Sequence, residues 1–297
     1  MAHRFSRSKA RMSSDTHAHD DALAILASTF PAATEAERQR FLKARKGNLQ
    51  SATEKLGEFM DWRVRHNLDS PEHACDGRTD EQDWALASKL ALEWEEQQKE
   101  HESNQRFSTT KKRNKVTILP QIVNMYFMEV DHNNNKIVSP YRTKDSKLIL
   151  HVLPAQVNKK FATAETYALA KAIYLDLKFD RHTSCELATI FIDVRPGRGW
   201  ANPPAYTMMP FISNVSSVLH QYFPERLHQC IVYPLPKAAI WIWDIAKTFL
   251  DKRVVDAVSL IAGSDALTAE APSKALSLLL EDDVIEKMEQ RRVDLFL

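Results

Sequence analysis

The sequence predicts an α/β fold: an N-terminal helical lobe followed by a βαβ-type, mostly parallel β-sheet that is flanked by helices. Two observations lead to this fold class. Near the N-terminus, apolar residues recur every three or four positions, which is typical of amphipathic helices. In the second half, helical patterns separate three short, continuously apolar runs, which are typical of strands buried on both faces of a parallel sheet: 187–194, 229–235 and 257–263.

The N-terminal part combines a basic leader with the helical lobe. We expect a disordered leader over 1–20, because its first residues are rich in arginine and serine and contain no acid before Asp15. A mitochondrial presequence has a similar composition and stays an alternative. The helical lobe is predicted for 21–68, where Thr34 and Glu37 form a capping box at the start of one helix.

A charged segment links the lobe to the rest of the chain. We predict that 69–115 form a charged helical insertion or linker, with a helix over 80–102. The basic run TTKKRNK that follows could contact anionic lipid or nucleic acid. No aromatic or amphipathic pattern flanks that run, so the sequence favours a solvated linker.

The remaining residues, 116–297, carry the mixed α/β pattern. Asparagine and aspartate at turn density predict a hairpin or a wide turn over 130–140. A strand is predicted for 147–154, an amphipathic helix for 162–179 and a second helix for 203–223. Together with the three apolar runs, these elements predict parallel strands joined by right-handed helical crossovers.

Composition and motifs exclude several classes of function. The 40 lysine and arginine residues against 39 acidic residues leave a net charge of +1, which gives no overall attraction to nucleic acid. Three cysteines without a CxxC pair indicate reduced thiols in a cytosolic protein. No apolar run approaches the roughly 18 residues of a membrane span. Glycine-rich nucleotide loops, GxSxG and HExxH are absent, so we expect no enzyme, no cofactor and no metal.

The segment 235–251 contains more apolar residues than a surface helix needs. Every position from Ala238 to Trp243 is apolar, whereas a surface helix is apolar over about 100° of its circumference. The pattern alone favours a helix buried on both sides or at an oligomer interface. The functional alternative is a helix that covers an apolar cavity and meets a membrane when the cavity opens. Trp241 and Trp243 would suit the polar–apolar boundary there.

Four stretches together resemble the CRAL-TRIO family, the lipid-binding domain of phosphatidylinositol/phosphatidylcholine transfer proteins and tocopherol-binding proteins. The stretch RFLKARKGNLQSATEKLGEFMDWR is similar to the family's RFLRARK and WR pattern. Further along, ATIFIDV, HQYFPERLHQCIVYPLP and TFLD follow the family's strand-D, hYPERL, iiNaP and pFLD blocks in order. The resemblance covers most of 36–263, and four motifs in sequence make it specific.

The resemblance implies that 116–297 form a domain whose sheet and helices enclose an apolar lipid cavity. It implies a non-enzymatic protein that binds a phospholipid or another hydrophobic lipid and transfers or presents it between membranes. The protein would then be cytoplasmic and peripherally membrane-associated, with transient membrane contact. A mobile apolar gate helix would meet the membrane through Ile240, Trp241, Ile242, Trp243 and Phe249.

The resemblance also implies residues for the lipid headgroup. In the family, the glutamate of the YPER block lies in a buried polar network near the headgroup end, and Glu225 takes that position here. Arg45 and Lys46 match the basic pair of the RARK block and would place charge near a phosphate. Thr189 takes the position of a hydroxyl that contacts headgroups. The structural alternative is that Glu225, Arg45 and Lys46 pin the helical lobe to the sheet.

The sequence departs from the family pattern at single positions and in whole segments, among them DSKLIL over 145–150 in place of the family's DGRPV strand entry. Phosphatidylinositol-binding members carry a lysine shortly after pFLD, where this sequence has Ala257. Pro234 replaces the asparagine of iiNaP and removes a backbone donor. After Gly263, the pattern over 273–296 predicts a helix in place of the family's LP…GG ending. These departures leave the headgroup open and favour an alternative function, a ligand-free protein- or membrane-docking module that regulates lipid signalling or trafficking.

Overall fold

The computed structural model divides the chain into two compact units. The helical unit comprises Met1–Ser70 and Asp180–Cys185, and the sheet unit comprises Pro71–Phe179 and Glu186–Leu297. The structure describes residues 17–70, 78–105, 118–119, 123–124, 128–131, 136–153, 157, 160–183, 186–197, 205–236, 239, 243–245, 247–249 and 252–296.

Helices build the described part of the helical unit, in agreement with the sequence. Helix α1 covers 17–29 and so begins within the last residues of the predicted leader, α2 covers Glu35–Ala44 and α3 covers Leu49–Arg65. The predicted capping box is confirmed. The Thr34 hydroxyl accepts a hydrogen bond from the Glu37 amide at 3.1 Å, and the Glu37 carboxylate accepts one from the Thr34 amide at 2.7 Å. These bonds satisfy two amides that have no partner inside the helix.

Arg181 holds residues 180–183 in the helical unit. Its Nε lies 2.7 Å from Glu37 Oε1, and its Nη1 lies 2.7 Å from Asp69 Oδ1. The carbonyl of Arg181 accepts a hydrogen bond from the Thr34 hydroxyl at 2.7 Å. The Glu37 side chain is only 1% exposed, and a buried carboxylate requires a counter-charge. Arg181 supplies that charge, so this ion pair fixes the segment against the start of α2.

A five-stranded sheet forms the centre of the sheet unit. The strands are β1 Val123–Asn124, β2 Met128–Asp131, β3 Lys136–Pro140, β4 Leu148–Val152, β5 Ala188–Asp193, β6 Leu227–Leu235 and β7 Val258–Ala262. The sheet order is β1-β4-β5-β6-β7, with β1 antiparallel to β4 and the other neighbours parallel. Strands β2 and β3 form the predicted antiparallel hairpin. The predicted α/β class with a mostly parallel sheet is confirmed.

Helices precede, connect and follow the parallel strands. They are α4 Asp80–Gln105, α5 Ala164–Lys178, α6 Ala205–Tyr222, α7 Lys252–Asp256, α8 Ser273–Leu276 and α9 Asp282–Phe296. Helix α5 connects β4 to β5, and α6 connects β5 to β6. The C-terminal pattern, predicted as one helix, forms two helices with a turn over 277–281.

A buried ion pair anchors α4 to α5. Lys178 Nζ lies 2.6 Å from Asp83 Oδ2, and the two side chains are 5% and 7% exposed. Arg78 Nε binds the other oxygen of Asp83 at 2.6 Å. Trp84, the next residue of α4, is 2% exposed. The segment predicted as an insertion, 69–115, therefore contributes a packed helix to the sheet unit.

A close backbone approach at the end of β7 explains why Gly263 follows this strand. A Cβ atom at this position would lie 2.6 Å from the Cβ atom of Pro234 in β6, which is closer than two carbon atoms pack. Pro234 also lies where the β6–β7 register shifts, between Val232 and Leu235. A proline cannot donate to the ladder and is tolerated at such irregularities. Every residue except glycine carries this Cβ atom, so Gly263 accommodates the close approach of the chain to position 234 and not the proline ring itself.

Candidate functional site

The two faces of the parallel sheet have different surroundings. Side chains alternate between faces along each strand, and paired residues of parallel strands share a face. One face, the covered face, packs against α8, α9 and the turn between them, which supply Leu276, Leu280, Val284, Ile285 and Met288. Most of its strand residues are almost completely buried: Ile149, His151, Thr189, Phe191, Asp193, Ile231 and Tyr233. Gln229, Ser259 and Ile261, towards the β7 edge, are half-buried.

The opposite face, here called the apolar sheet face, carries no charged side chain at its centre. Its central residues are Leu150, Val152, Ile190, Ile192, Cys230, Val232, Val258 and Leu260. Five of them are half-buried: Ile190, Ile192, Val232, Val258 and Leu260. The continuous apolar runs predicted strands buried on both faces, and the structure corrects this. Strands β5 to β7 retain accessible apolar surface on one side, and parallel strands rarely do so without a binding partner.

Cys230 shows how apolar this face is. Its side chain lies between Ile190 and Val258 in the sheet register and is buried. Burial raises the pKa of the thiol to about 12, because the thiolate would lose its hydration there. The thiol is therefore neutral at physiological pH. The accessible surface of this face is therefore hydrocarbon, and its one thiol is buried and neutral.

Helix α6 is also apolar without being buried. From Phe211 to Tyr222, each side chain is half-buried or exposed, although the stretch includes Ile212, Val215, Val218 and Leu219. The helix is joined to α5 by a hydrogen bond from Asn214 Nδ2 to Glu165 Oε1 at 3.1 Å. Pro210 lies inside α6 and removes one of its backbone hydrogen bonds. This helix adds a second accessible apolar surface to the sheet unit.

The structure places the predicted headgroup residue Thr189 on the covered face. It alternates with Ile190 along β5 and shares a face with Phe191. Its side chain is 2% exposed. The family motif aligns Thr189 with a position in β5. The motif does not show on which face of the sheet the Thr189 hydroxyl lies.

The charged pair Glu225–Arg226 lies at the turn between α6 and β6. Glu225 is half-buried, with a left-handed φ of 60°. The buried member is Arg226, whose side chain is 2% exposed. Its Nη1 donates to the Glu186 carbonyl at 3.0 Å, and its guanidinium lies 4.9 Å from the centre of the Phe179 ring. The resemblance implied a buried network around the glutamate; the structure gives the most buried position to the arginine, which joins α5, α6 and the start of β5.

Arg45 and Lys46 lie in the helical unit at the end of α2. Arg45 is the C-cap residue and is half-buried. Lys46 is exposed and has a left-handed φ of 53°. The four predicted headgroup residues therefore belong to two different units, since Thr189 and Glu225 belong to the sheet unit.

The predicted gate helix falls mostly outside the described residues. Ile240, Trp241 and Ile242 lie outside them, and so does the side chain of Phe249. Trp243 is half-buried, and Ile245 two residues later is 47% exposed.

A polar cluster that sequence reasoning missed lies at the carboxyl end of β5, beneath α9. Arg195 binds Asp193 through Nη2 at 2.6 Å and donates from Nη1 to Glu289 of α9 at 2.9 Å. Burial works against its charge, but hydrogen bonds to Glu289 and Asp193 raise the pKa of Arg195. Both Asp193 and Arg195 side chains are 0% exposed. Asp193 ends the apolar strand β5 and Arg195 follows two residues later, and this placement of charge was the only sign of the cluster in the sequence. The fold alone brings Glu289 close to them.

Within the described part of the chain, two searches have negative results. None of its helices is both long and apolar enough to cross a membrane. No group of three or more histidine, cysteine, aspartate or glutamate side chains is arranged there to hold a metal ion.

Comparison with known proteins agrees with the fold. The crystal structure of Sfh5 is similar with a TM-score of 0.54 at 13% sequence identity, over 90% of this chain and 84% of that chain. No curated protein sequence matches the chain. Residues 132–277 match the family model of the CRAL/TRIO domain, whose members are generally lipid-binding and lipid-transfer proteins. The segment 132–277, which contains the four parallel strands, therefore belongs to the CRAL/TRIO family.

Proposed function

We propose that this protein binds a single hydrophobic lipid, with the acyl chains on the apolar sheet face, and transfers or presents it between membranes. The observation that carries the proposal is the half-buried state of five aliphatic residues on that face, which include Ile192 and Val232. A lipid chain would complete the burial that parallel strands normally have. The absence of charge at the centre of the face suits a hydrocarbon ligand.

The driving force is the burial of methylene groups. Each buried methylene contributes about 0.8 kcal/mol, so a ten-carbon stretch transferred from water would contribute about 8 kcal/mol. Extraction begins from a bilayer in which the chains are already buried, and only the difference between the two environments drives exchange. The protein must therefore offer contacts as complete as those in the bilayer. The free side-chain surface of β5, β6 and α6 is available for such contacts.

The proposal includes a mobile gate. Ile240, Trp241, Ile242, Trp243 and Phe249 would cover the bound lipid in water and contact the membrane during exchange. The exposed Ile245 supports this proposal, because an isoleucine that is 47% exposed can enter a bilayer surface at little cost. Trp241→Asp should then reduce membrane association and lipid exchange while the fold persists. A Trp241→Asp protein that unfolds would instead support a buried core helix.

Headgroup recognition is the least specified part of the proposal. We assign Arg45 and Lys46 of the helical unit to positive charge near a phosphate, since Arg45 is half-buried and Lys46 exposed. For the half-buried Glu225 of the sheet unit we propose a place in a polar network near the headgroup. Thr189 would reach a headgroup only from the covered face. Ala257 is half-buried and cannot replace the lysine of phosphatidylinositol-binding members. We therefore propose a phospholipid or another hydrophobic lipid without restricting it to phosphatidylinositol.

A matched pair of substitutions tests the face. Val232→Trp extends an indole over the apolar sheet face, whereas Ile231→Trp forces it into the covered face next to Phe191. We expect Val232→Trp to fold normally and to take up roughly 100-fold less fluorescent phospholipid from vesicles, because the indole fills the space of several methylenes. Ile231→Trp should lose about 1–3 kcal/mol of unfolding free energy through overpacking.

Native mass spectrometry and organic extraction of protein purified from cells identify the ligand. One bound lipid per chain that is absent from Val232→Trp supports the proposal. The headgroup of that lipid shows whether a protein with Ala257 in place of the family's lysine binds phosphatidylinositol. A chain without lipid that also takes none from vesicles would contradict it. That outcome would favour the ligand-free docking module.

A further inference from the structure

Helix α9 covers the sheet with only one of its sides. Three of its apolar residues, Val284, Ile285 and Met288, belong to the same buried cluster as the strand residues of the covered face. The opposite side of the helix is polar and exposed, with Asp282, Asp283, Glu286 and Gln290. The helix contributes no strand to the sheet, so its departure would leave the described strand pairs intact.

Helix α5 is buried to a much greater extent than α9. Nine of its 15 residues are buried, among them Tyr167, Ile173 and Tyr174. Segments with few buried apolar side chains open at a lower free energy than well-buried segments of the same protein. We therefore expect α9 to leave its position at a lower free energy than the one that unfolds α5.

His151 of β4 lies beneath α9 and is 0% exposed. Its Nε2 lies 3.3 Å from the Tyr233 hydroxyl. Its Nδ1 is buried and has no hydrogen-bond partner in the part of the chain that the structure describes. The charged and titratable side chains around this pair come from β5, the residues after it, and α9: Asp193, Arg195, Glu289, Arg291 and Arg292. Three of these five side chains lie on α9, so this helix determines much of the electrostatic environment of His151.

Both carboxylates of this cluster already bind a cation. Arg195 lies 2.6 Å from Asp193 and donates to Glu289 at 2.9 Å. The Arg292 side chain donates to two backbone carbonyls and lies 3.6 Å from Asp193. A proton on His151 would therefore add a further positive charge to a buried site that already contains more arginines than carboxylates. Such a charge is costly as long as α9 excludes water from the site.

We propose that α9 is an acid-sensitive cover of the sheet: protonation of His151 shifts the helix from this docked position to an undocked state in which the rest of the sheet unit stays folded. Undocking uncovers apolar side chains on the helix and on the sheet, such as Met288 and Phe191. The protein would thus gain an apolar surface in acid that it lacks at neutral pH. This property does not depend on a bound lipid.

The direction of the effect follows from the two environments of His151. In the docked state, burial lowers the pKa of the imidazole from 6.5 to about 3. In the undocked state, water reaches the imidazole and the charges of α9 are removed, so its pKa returns towards 6.5. Docking is therefore fully favoured above about pH 6.5 and weakens as the pH falls towards 3.

Hydrogen exchange of backbone amides on the full chain, corrected for the intrinsic effect of pH, measures the undocked population. The two pKa values predict that this population rises about 25-fold between pH 7 and pH 5. The protection factors of residues 284–292 should fall by the same factor. At both pH values these amides should be less protected than those of residues 166–175 in α5, because α9 undocks without unfolding of the sheet unit.

Substitutions test which groups cause the effect. His151→Gln does not titrate, so α9 should have the same protection at pH 7 and pH 5; His151→Leu is a second non-titrating variant if the first does not fold. Glu289→Gln removes the charge that Arg195 binds on α9. It should lower the protection of α9 about tenfold at pH 7, the loss expected for one hydrogen bond to a charged group. The matched control Glu286→Gln changes the exposed side of the same helix and should have no effect.

Lower protection of α9 than of α5, with a fall in acid that both His151 variants abolish, would support the proposal. Equal protection of the two helices at both pH values would overturn it, because α9 would then open only when the whole unit unfolds. A fall in acid that persists in the His151 variants would also overturn it, since another group would bind the proton. Equal effects of Glu289→Gln and Glu286→Gln would contradict the role of the ion pair in docking.

Discussion

Acidification should destabilise this protein through His151, which lies in the covered face of the sheet. The side chain is 0% exposed. Burial, with a smaller effect from the Arg291 charge, lowers its pKa from 6.5 to about 3. The Tyr233 hydroxyl lies 3.3 Å from His151 Nε2. In the folded protein the imidazole is therefore neutral at pH 5, whereas in the unfolded chain it is largely protonated at that pH.

The magnitude follows from these two pKa values. Between pH 6.5 and about pH 3 the unfolded state binds one more proton at His151, so the free energy of unfolding falls as the pH falls. Stability from this group is fully present above the unfolded pKa. One pH unit corresponds to about 1.4 kcal/mol, so the loss from pH 7 to pH 5 is about 2 kcal/mol. In a chain of this size, that loss lowers the Tm by about 4 °C.

Urea unfolding of the wild type and of His151→Gln at pH 7 and pH 5 tests this argument. Glutamine offers the Tyr233 hydroxyl a hydrogen-bond partner but does not titrate. His66, whose pKa burial lowers to about 4, is present in both proteins and cancels in the comparison. We expect the wild type to lose about 2 kcal/mol more than the variant. Equal losses, or an NMR titration of His151 near its unfolded pKa, would refute the reasoning.

Two further predictions concern buried charges, and urea unfolding measures both. Arg226→Met should lower the free energy of unfolding by about 3 kcal/mol, because it leaves the Glu186 carbonyl without this donor. Glu225→Gln should change the free energy of unfolding by less than about 1 kcal/mol. Equal effects would contradict the assignment of the buried charge to Arg226. Asp83→Ala should cost about 3–5 kcal/mol, because Lys178 remains buried without this carboxylate. Asp83→Leu combined with Lys178→Met should recover most of that loss, and a double variant as unstable as Asp83→Ala would contradict the argument.

The sequence by itself determined the local structure. The capping box at Thr34 follows from hydrogen bonds between residues three positions apart, and the helical periods and apolar runs follow from side chains within one element. The parallel strands were also predictable from local sequence, because a short continuous run of apolar residues is typical of a strand in a parallel sheet. The family motifs pointed to the CRAL/TRIO domain over a range that contains these strands.

Only the tertiary structure decided how these elements face one another. The sequence predicted strands buried on both faces, but α8 and α9 cover just one face, and Ile192 and Val232 on the other remain half-buried. It drew attention to Glu225, while packing against Phe179 and Glu186 gives the buried position to Arg226. Burial and counter-charge depend on residues far apart in the chain, so no local pattern encodes them. For that reason, the sequence predicted that the strands of the sheet are apolar, but it did not predict which of their side chains stay accessible.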